Sequence, residues 1–218
     1  MEKTMSFVGN SPELLADGVF SAVHRIFLLS PAHLKGIRGQ RLLSPRADSE
    51  LSRRLRTQGA PLADLFCHTS SLYFRGKLTY ARHFALPPAG VEGCYVITSS
   101  RGLLSPGTVM NIEAVRELAS GAEIDLEHEV YRGSLCRDAA ALKNTLPLDC
   151  QVVLLGSVAT EKYVTPLLEV FGRRLFFPSA FVGRGDMSRG GLLLRCIREN
   201  QELAYSSART HLRRGKRR

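Results

Sequence analysis

The chain has 218 residues, 44% of them hydrophobic, which suffices for one domain with a substantial core. No run of about eighteen apolar residues occurs, which argues against a membrane span, and the first residues lack a secretory-signal pattern, so we expect a cytoplasmic protein without a membrane partner. The five cysteines are widely spaced and form no CxxC pair, so they indicate neither a disulfide framework nor a zinc site.

The net charge of +10 is concentrated in two places. Seven basic side chains lie between Lys35 and Arg56, opposed only by Asp48 and Glu50. Six more follow Ser206, without any acidic residue. We interpret residues 206–218 as a disordered basic tail, either an arm that binds phosphate backbones or a solvated terminus.

Residues 1–22 are weakly patterned, and the first predicted strand covers residues 23–29. Pro31, Gly36 and Gly39 predict that a loop, not a helix, follows this strand. A helix should then begin after Asp48 or Ser49 and end at Gly59.

The middle of the chain alternates helices and strands. A short helical turn is predicted for residues 61–67 and a separate helix for 69–84, in which Gly76 indicates close packing or approach to a ligand. The second strand is predicted at residues 94–98. A helix over 112–119, capped by Asn111, comes next.

The last third repeats this alternation. We interpret residues 121–133 as an irregular surface segment, residues 135–146 as a helix and residues 151–155 as a buried strand that feeds a helix ending near Gly172. The remaining predicted elements are a fourth strand at 173–179, a glycine-rich loop at 180–191, and a helix or an edge strand at 192–197.

These elements predict an α/β fold with a central, mostly parallel four-stranded sheet flanked by helices. Strands that are apolar on both faces need helices on both sides, and strands separated by helices run parallel with right-handed crossovers. We therefore expect one α/β domain over residues 23–205, a weakly structured segment at 1–22 and the tail at 206–218.

Parallel strands bring four strand-to-helix loops to one edge of the sheet, where α/β proteins bind their ligands. The loops read SPAHLKGIRG, TSSRGLLSPG, GSVATEK and PSAFVGRGDMSRGG. Glycine allows backbone N–H groups to approach a ligand, hydroxyls donate hydrogen bonds and arginine chelates oxygens, so the loops predict a phosphate-binding site. The candidate phosphate-binding residues are Ser30, Lys35, Arg38, Ser99, Ser100, Arg101, Gly156, Ser157, Lys162, Arg184, Ser188 and Arg189.

Two residues of these loops are candidate acids or bases. His33 could act as a general base, although a loop histidine is commonly just exposed or hydrogen-bonded. Asp186 lies between Arg184 and Arg189, where it either forms an ion pair or contacts a bound base or ribose. Carboxylates are otherwise scarce in the loops, which disfavours a two-metal enzyme, and no loop matches the GxxxxGK[ST] or GxGxxG cofactor motifs, so neither a metal nor a cofactor is predicted.

Parts of the sequence resemble known families. The segments LYFRGKLTYAR, YVITSSRGLLSPGTV, VVLLGSVATEKYVTPLL and LFFPSAFVGRGDMSRGGLLL are similar to an uncharacterised α/β family of bacteria and phages, which carries LFRKxLAYA, ILSAKxGLL and VVLL elements. FLLSPAHLKG and SSRGLLSP resemble the LISPAK and LSGLYGLLRPLD elements of the YaaA peroxide-stress family. Both families are similar to the uracil-DNA glycosylase-like group.

The resemblance spans residues 26–195, with departures. The lysine of SPAK corresponds to His33, and the tyrosine and aspartate that often follow GLLxPDT are replaced near Glu113 and Ala114. The resemblance implies a nucleic-acid partner, DNA before RNA, or a nucleotide. The alternatives are a glycosylase-like enzyme that processes a nucleobase or glycosyl group through Asp186 or His33, and a non-catalytic RNA-binding or scaffold protein.

Overall fold

The computed structural model describes residues 23–121, 124–157 and 161–210. Its centre is a sheet with four parallel strands, in the spatial order β3 (Cys94–Ile97), β1 (Arg25–Leu29), β6 (Gln151–Leu155) and β7 (Leu175–Pro178). These are the four predicted strands. The α/β class and the parallel direction are confirmed.

Two short antiparallel strands extend the sheet, so it has six strands and not the predicted four. β4 (Leu103–Leu104) pairs with β3, and β8 (Tyr205–Ser207) pairs with β7. A separate two-stranded ladder joins β2 (Ala60–Pro61) to β5 (Val109–Met110). Elements of two or three residues are too short to give a periodic signal, which is why the sequence did not reveal them.

Strand β8 also changes the boundary of the predicted tail. Ser206 and Ser207 pair with β7, and the Ala208 side chain is buried. The predicted disorder therefore does not apply to the start of residues 206–218. Residues 211–218, like the predicted weak segment at 1–22, lie outside the described residues.

The central strands bury both faces, as their continuous apolar sequences require. Alternate residues of β1 and β6 point to opposite sides: Phe27 and Val153 belong to one core, Ile26 and Val152 to the other. The first core lies under α3 (Leu62–Phe84) and α7 (Asp186–Glu199), and the second lies under α5 (Glu129–Thr145) and α6 (Glu161–Phe171).

Residues 23–121 also form three shorter helices: α1 (Ile37–Leu43), α2 (Glu50–Thr57) and α4 (Ile112–Ser120). The predicted caps of two of them are confirmed. The Ser49 hydroxyl accepts a hydrogen bond from the Ser52 N–H, and the Asn111 amide oxygen accepts one from the Ala114 N–H.

Helix α1 lies where the sequence predicted a loop. Gly36 occupies the cap position with an extended backbone and does not interrupt the helix. Gly39 is needed for packing, because a β-carbon there would lie 1.9 Å from the Leu34 carbonyl oxygen. The glycines that suggested a loop thus serve the start and the close packing of a helix.

Three helix boundaries also differ from the prediction. Helix α3 is continuous, because Pro61 stands at its cap and nothing interrupts the chain near Cys67. Helix α5 begins at Glu129, earlier than expected. Helix α7 begins at Asp186, so Asp186, Ser188 and Arg189 belong to a helix, not to the predicted loop.

Helices α3 and α7 pack at very short range. A β-carbon on Gly76 would lie 3.0 Å from the Gly190 carbonyl oxygen, and one on Gly190 would lie 3.0 Å from the Tyr73 Cα. The close packing predicted for Gly76 is therefore confirmed. This contact brings the first turn of α7 beside the middle of α3.

Crossing a bilayer would require a long apolar helix, and none of the helices in the described part of the chain meets that requirement.

Candidate functional site

A groove runs along the sheet edge where β1, β3 and β6 end. It consists of two adjoining cavities of ≈ 240 Å³ and ≈ 350 Å³, which share His33, Lys162, Tyr163 and the Pro31–Ala32 segment. We call the smaller cavity the lysine end and the larger one the serine end. All four predicted loop segments contribute to this groove, the fourth through Asp186, which the structure places at the start of α7.

The lysine end combines cations with an apolar wall. His33, Lys35 and Lys162 line it, together with Ser99 from the loop after β3. Phe66 and Leu118 belong to the same lining, and both are almost completely buried. The lysine end can therefore contact an anionic group and a flat apolar group at the same time.

The serine end is more polar. Ser30, Ser157 and Asp186 line it beside the rings of Tyr73 and Tyr163. Burial raises the pKa of the Tyr73 hydroxyl to about 12, despite the Arg189 guanidinium nearby. The hydroxyls and the carboxylate offer both donors and acceptors to a ligand.

A buried lysine lies directly behind the serine end. The Lys77 side chain is 1% exposed, and its Nζ donates hydrogen bonds to the Ser30 carbonyl oxygen at 2.5 Å and to the Ser30 Oγ at 2.8 Å. Its Nζ also lies 4.4 Å from the Tyr73 ring centroid and 5.3 Å from that of Phe74. Burial lowers the pKa of Lys77 to about 7, Asp186 acts in the opposite direction and Arg189 lowers it further.

The backbone explains why Ser30 reaches both the groove and Lys77. Ser30 follows β1 directly, and its N–H continues the parallel ladder by donating to the Leu155 carbonyl oxygen at 3.1 Å. Gly156 leaves the necessary space, since a β-carbon there would lie 3.0 Å from the Ser30 Cβ. Gly156, a predicted phosphate-binding residue, therefore has a structural role: its small size allows Ser30 to approach β6.

Sequence reasoning missed Lys77 because a single lysine in a helix normally points to solvent. Its spacing did contain a signal. Lys77 lies four residues after Tyr73 and four before Ala81, and both of these apolar side chains are buried. A lysine on the apolar stripe of a helix has to be neutral or paired, which marks it as a candidate site residue.

Seven of the predicted site residues meet in the groove. They come from the loops after β1, β3 and β6, from the first turn of α6 and from the first residue of α7: Ser30, His33, Lys35, Ser99, Ser157, Lys162 and Asp186.

The other predicted site residues are not among those that line the two cavities of the groove. Arg101 forms an exposed ion pair with Glu117, and Arg38 is exposed on α1. The Arg184 guanidinium donates to the Ser188 hydroxyl at 3.1 Å, with both side chains exposed. Ser100 has a buried hydroxyl that finds no hydrogen-bond partner among the described residues.

Arg189, a predicted phosphate-binding residue, is buried and hydrogen-bonded within the protein. Its guanidinium is buried, donates twice to the Phe181 carbonyl oxygen and pairs with Asp186 at 3.3 Å. This pairing holds the Asp186 carboxylate at the mouth of the serine end, where its side chain is 69% exposed. Asp186 was predicted either to form an ion pair or to contact a bound base or ribose. The ion pair is present, and the carboxylate also lines the groove.

Metal binding has no obvious site in the parts of the chain that the structure covers, because no three His, Cys, Asp or Glu side chains cluster there. Comparisons with protein-family models, curated proteins and solved structures find no match to this chain.

Proposed function

We propose that this protein binds a nucleotide, either free or as part of a nucleic acid, in the groove at the carboxyl edge of the sheet. The observation that carries the proposal is the convergence of His33, Lys35 and Lys162 on one cavity that also has an apolar wall. A nucleotide presents a matching pair of features, an anionic phosphate and a flat base.

The charge distribution supports the same ligand. The basic cluster continues beyond Lys35 through α1, α2 and the segment between them, where Arg38, Arg41 and Arg46 are exposed. Three other arginines of this cluster are held by the protein: Arg53 pairs with Asp48, Arg54 pairs with Asp64 and Arg56 donates to backbone carbonyls. A phosphate chain leaving the lysine end could therefore contact the exposed arginines. The resemblance to the glycosylase-like group favours DNA.

Binding of AMP, dAMP and a fluorescent single-stranded oligonucleotide would test this proposal. We expect Lys35→Ala and Lys162→Ala each to weaken binding of AMP about 10- to 100-fold, the range expected when a charge-assisted hydrogen bond is removed. Lys143→Ala is the matched control, because Lys143 is exposed at the end of α5. Equal affinity of all four proteins for AMP would contradict the proposed site.

A second candidate function is the processing of a nucleobase or glycosyl group. It is favoured by one specific observation, namely that His33 and the Asp186 carboxylate line the same cavity as Ser30 and Ser157. Two groups able to exchange protons are the usual requirement for general acid and base catalysis at a glycosidic bond.

Release of a free base from a panel of nucleosides and oligonucleotides would test this second function. We expect Asp186→Asn to suppress release, and Glu199→Gln at the other end of α7 to leave it unchanged. A panel without base release would remove the second function and leave nucleotide binding standing.

A further inference from the structure

We propose that Ser30 is a nucleophile activated by Lys77, and that it attacks the phosphorus of a phosphate ester bound at the serine end of the groove. This inference rests on the proposed function, since it takes the anionic ligand of that site as its substrate. It adds a chemical step that nucleotide binding alone does not include.

The geometry of the pair supports a serine and lysine dyad. The Lys77 Nζ lies 2.8 Å from the Ser30 Oγ, within the range required of a nucleophile and its general base. A neutral amine can donate to the Ser30 carbonyl oxygen and at the same time accept the proton of the Ser30 hydroxyl. The carbonyl contact at 2.5 Å fixes the orientation of the amine toward the hydroxyl.

The surroundings of Lys77 fit a general base. Its Nζ faces the Tyr73 and Phe74 rings on its own helix, Ser30 on the β1 side, and the charged pair Asp186 and Arg189 on α7. Burial dominates these influences and leaves the pKa near 7, so a substantial fraction of the side chain is neutral at physiological pH. Ser30 differs from Lys77 in that it lines the groove, so that the serine can reach a ligand while its base stays covered.

A purely structural role explains less of this arrangement. Nearly complete burial of an amine is costly, and the Ser30 carbonyl and hydroxyl oxygens are its hydrogen-bond acceptors in the described structure. The Ser30 hydroxyl can also donate to the Leu155 carbonyl oxygen at 3.3 Å, so the serine has a partner without the lysine. The Ser30 hydroxyl therefore has a hydrogen-bond partner without Lys77, whereas the proposed reaction requires Lys77 as its base.

The reaction begins when the Ser30 hydroxyl proton passes to the Lys77 Nζ, a bond forms between the Ser30 Oγ and phosphorus, and the ester P–O bond breaks. The leaving oxygen takes a proton from His33, which lines both cavities. Water then attacks the phosphoserine and gives a proton to His33, while Lys77 returns its proton to the Ser30 Oγ. The sum is hydrolysis of one phosphate ester, and Lys162 in the same cavity offsets the negative charge on the phosphoryl oxygens.

Labelling with an alkyl fluorophosphonate tests the nucleophile, because a serine displaces fluoride from this reagent and keeps the phosphorus. We expect an adduct on Ser30, located by peptide mass spectrometry. Its rate should rise with pH to a plateau with a midpoint near 7, as Lys77 loses its proton. Lys77→Met should reduce the rate on the order of 100-fold, the usual contribution of a general base. Lys143→Met and Thr79→Ala, which change an exposed lysine and an exposed residue of α3, should leave it unchanged.

A second variant keeps the test valid if Lys77→Met fails to fold. In Ser30→Cys the introduced thiol should react with iodoacetamide at pH 7 faster than the five native thiols, all of which have raised pKa values because of burial. Equal reactivity of the introduced and native thiols would count against an activating lysine.

The outcomes separate the two proposals. A folded chain that binds AMP but forms no adduct on Ser30 would overturn the nucleophile and leave the proposed function intact. An adduct on Ser30 in a chain that does not bind AMP would overturn the proposed function and keep the dyad. Bis(4-nitrophenyl) phosphate then tests the substrate class: release of 4-nitrophenolate that Ser30→Ala abolishes supports a phosphate ester, and no release overturns it.

Discussion

Gly190 lies against Tyr73 so closely that a β-carbon on the glycine would be 3.0 Å from the Tyr73 Cα. The reverse holds as well, since a β-carbon on Gly76 would lie 3.0 Å from the Gly190 carbonyl oxygen. Through these two contacts α7 places Asp186 at the groove and Arg189 near Lys77. The distance between two helices therefore controls the electrostatic surroundings of the candidate dyad.

We expect Gly190→Ala to destabilise the protein by about 1–3 kcal/mol, because the added methyl group forces two helix backbones apart. Gly191→Ala is a matched control in the same helix, since a β-carbon there would have no heavy atom of the described chain within 4 Å. It should stabilise the protein by roughly 0.5–1 kcal/mol through helix propensity alone. Urea unfolding of the three proteins measures both effects, and two changes of the same sign would contradict the helix contact.

The buried Lys77 predicts how stability depends on pH. The unfolded chain holds a proton on Lys77 up to its ordinary pKa of 10.5, whereas the folded chain loses it near 7. Between these values the unfolded state binds more protons, so the free energy of unfolding gains from Lys77 as the pH rises, by at most about 1.4 kcal/mol per pH unit. Below pH 7 Lys77 is charged in both states, so the free energy of unfolding is reduced by the full cost of burying its ammonium group.

Urea unfolding of the native protein and of Lys77→Met between pH 6 and pH 9 isolates this effect. The native protein should gain stability relative to the variant as the pH increases above 7. Only the difference between the two is informative, because the cysteine thiols also contribute near pH 9: they begin to ionise there in the unfolded chain, whereas burial raises their pKa values in the folded chain. Parallel stability curves would show that Lys77 keeps an ordinary pKa.

Asp186 should tune the same titration. Its carboxylate raises the pKa of Lys77, against the effect of burial. Asp186→Asn removes the negative charge and should move the midpoint of Ser30 labelling to lower pH, with little change in the plateau rate. Asp149→Asn, on the surface before β6, should leave the midpoint in place. An unchanged midpoint in Asp186→Asn would show that Asp186 does not act on the base.

Two truncations separate the basic terminus from the fold. A chain that ends at Thr210 lacks five cations, namely Arg213, Arg214, Lys216, Arg217 and Arg218. We expect it to keep the melting temperature of the full chain. Its binding to duplex DNA should show a weaker salt dependence, with a slope smaller by about 0.9 for each phosphate that these cations neutralise in the full chain.

A chain that ends at Tyr205 should behave differently. It also loses Ser206 and Ser207, which pair with β7, and the buried Ala208. Its melting temperature should therefore fall. If the shorter truncation leaves DNA binding unchanged at low salt, the terminus is only a solvated segment.

The parallel sheet could be predicted because β1, β3 and β6 are short apolar runs that predicted helices separate along the chain. Because the strands run parallel, the residues that follow them, Ser30, Ser99 and Ser157, lie at the same edge of the sheet. Edge strands β4 and β8 were missed since pairing over two or three residues depends on neighbours distant in the sequence.

The site was predicted less completely than the fold. Arginines in glycine-containing loops looked like ligands for an anion, but Arg101 and Arg189 form pairs within the protein, which depend on Glu117 and Phe181 in other elements. Lys77 was missed for the opposite reason. Its partners are a backbone carbonyl and a hydroxyl 47 residues away, and no local pattern encodes that contact.

Helix α3 lines the groove with Phe66 and Tyr73, holds Lys77 behind Ser30, and reaches β8 through a hydrogen bond between the Tyr80 and Tyr205 hydroxyls. All of these contacts share one helical register. Inserting a single residue between Tyr73 and Lys77 would rotate everything after it by about 100° relative to the groove. Length changes in this helix should therefore be far less acceptable than point substitutions, because the candidate dyad and the sheet edge would lose alignment together.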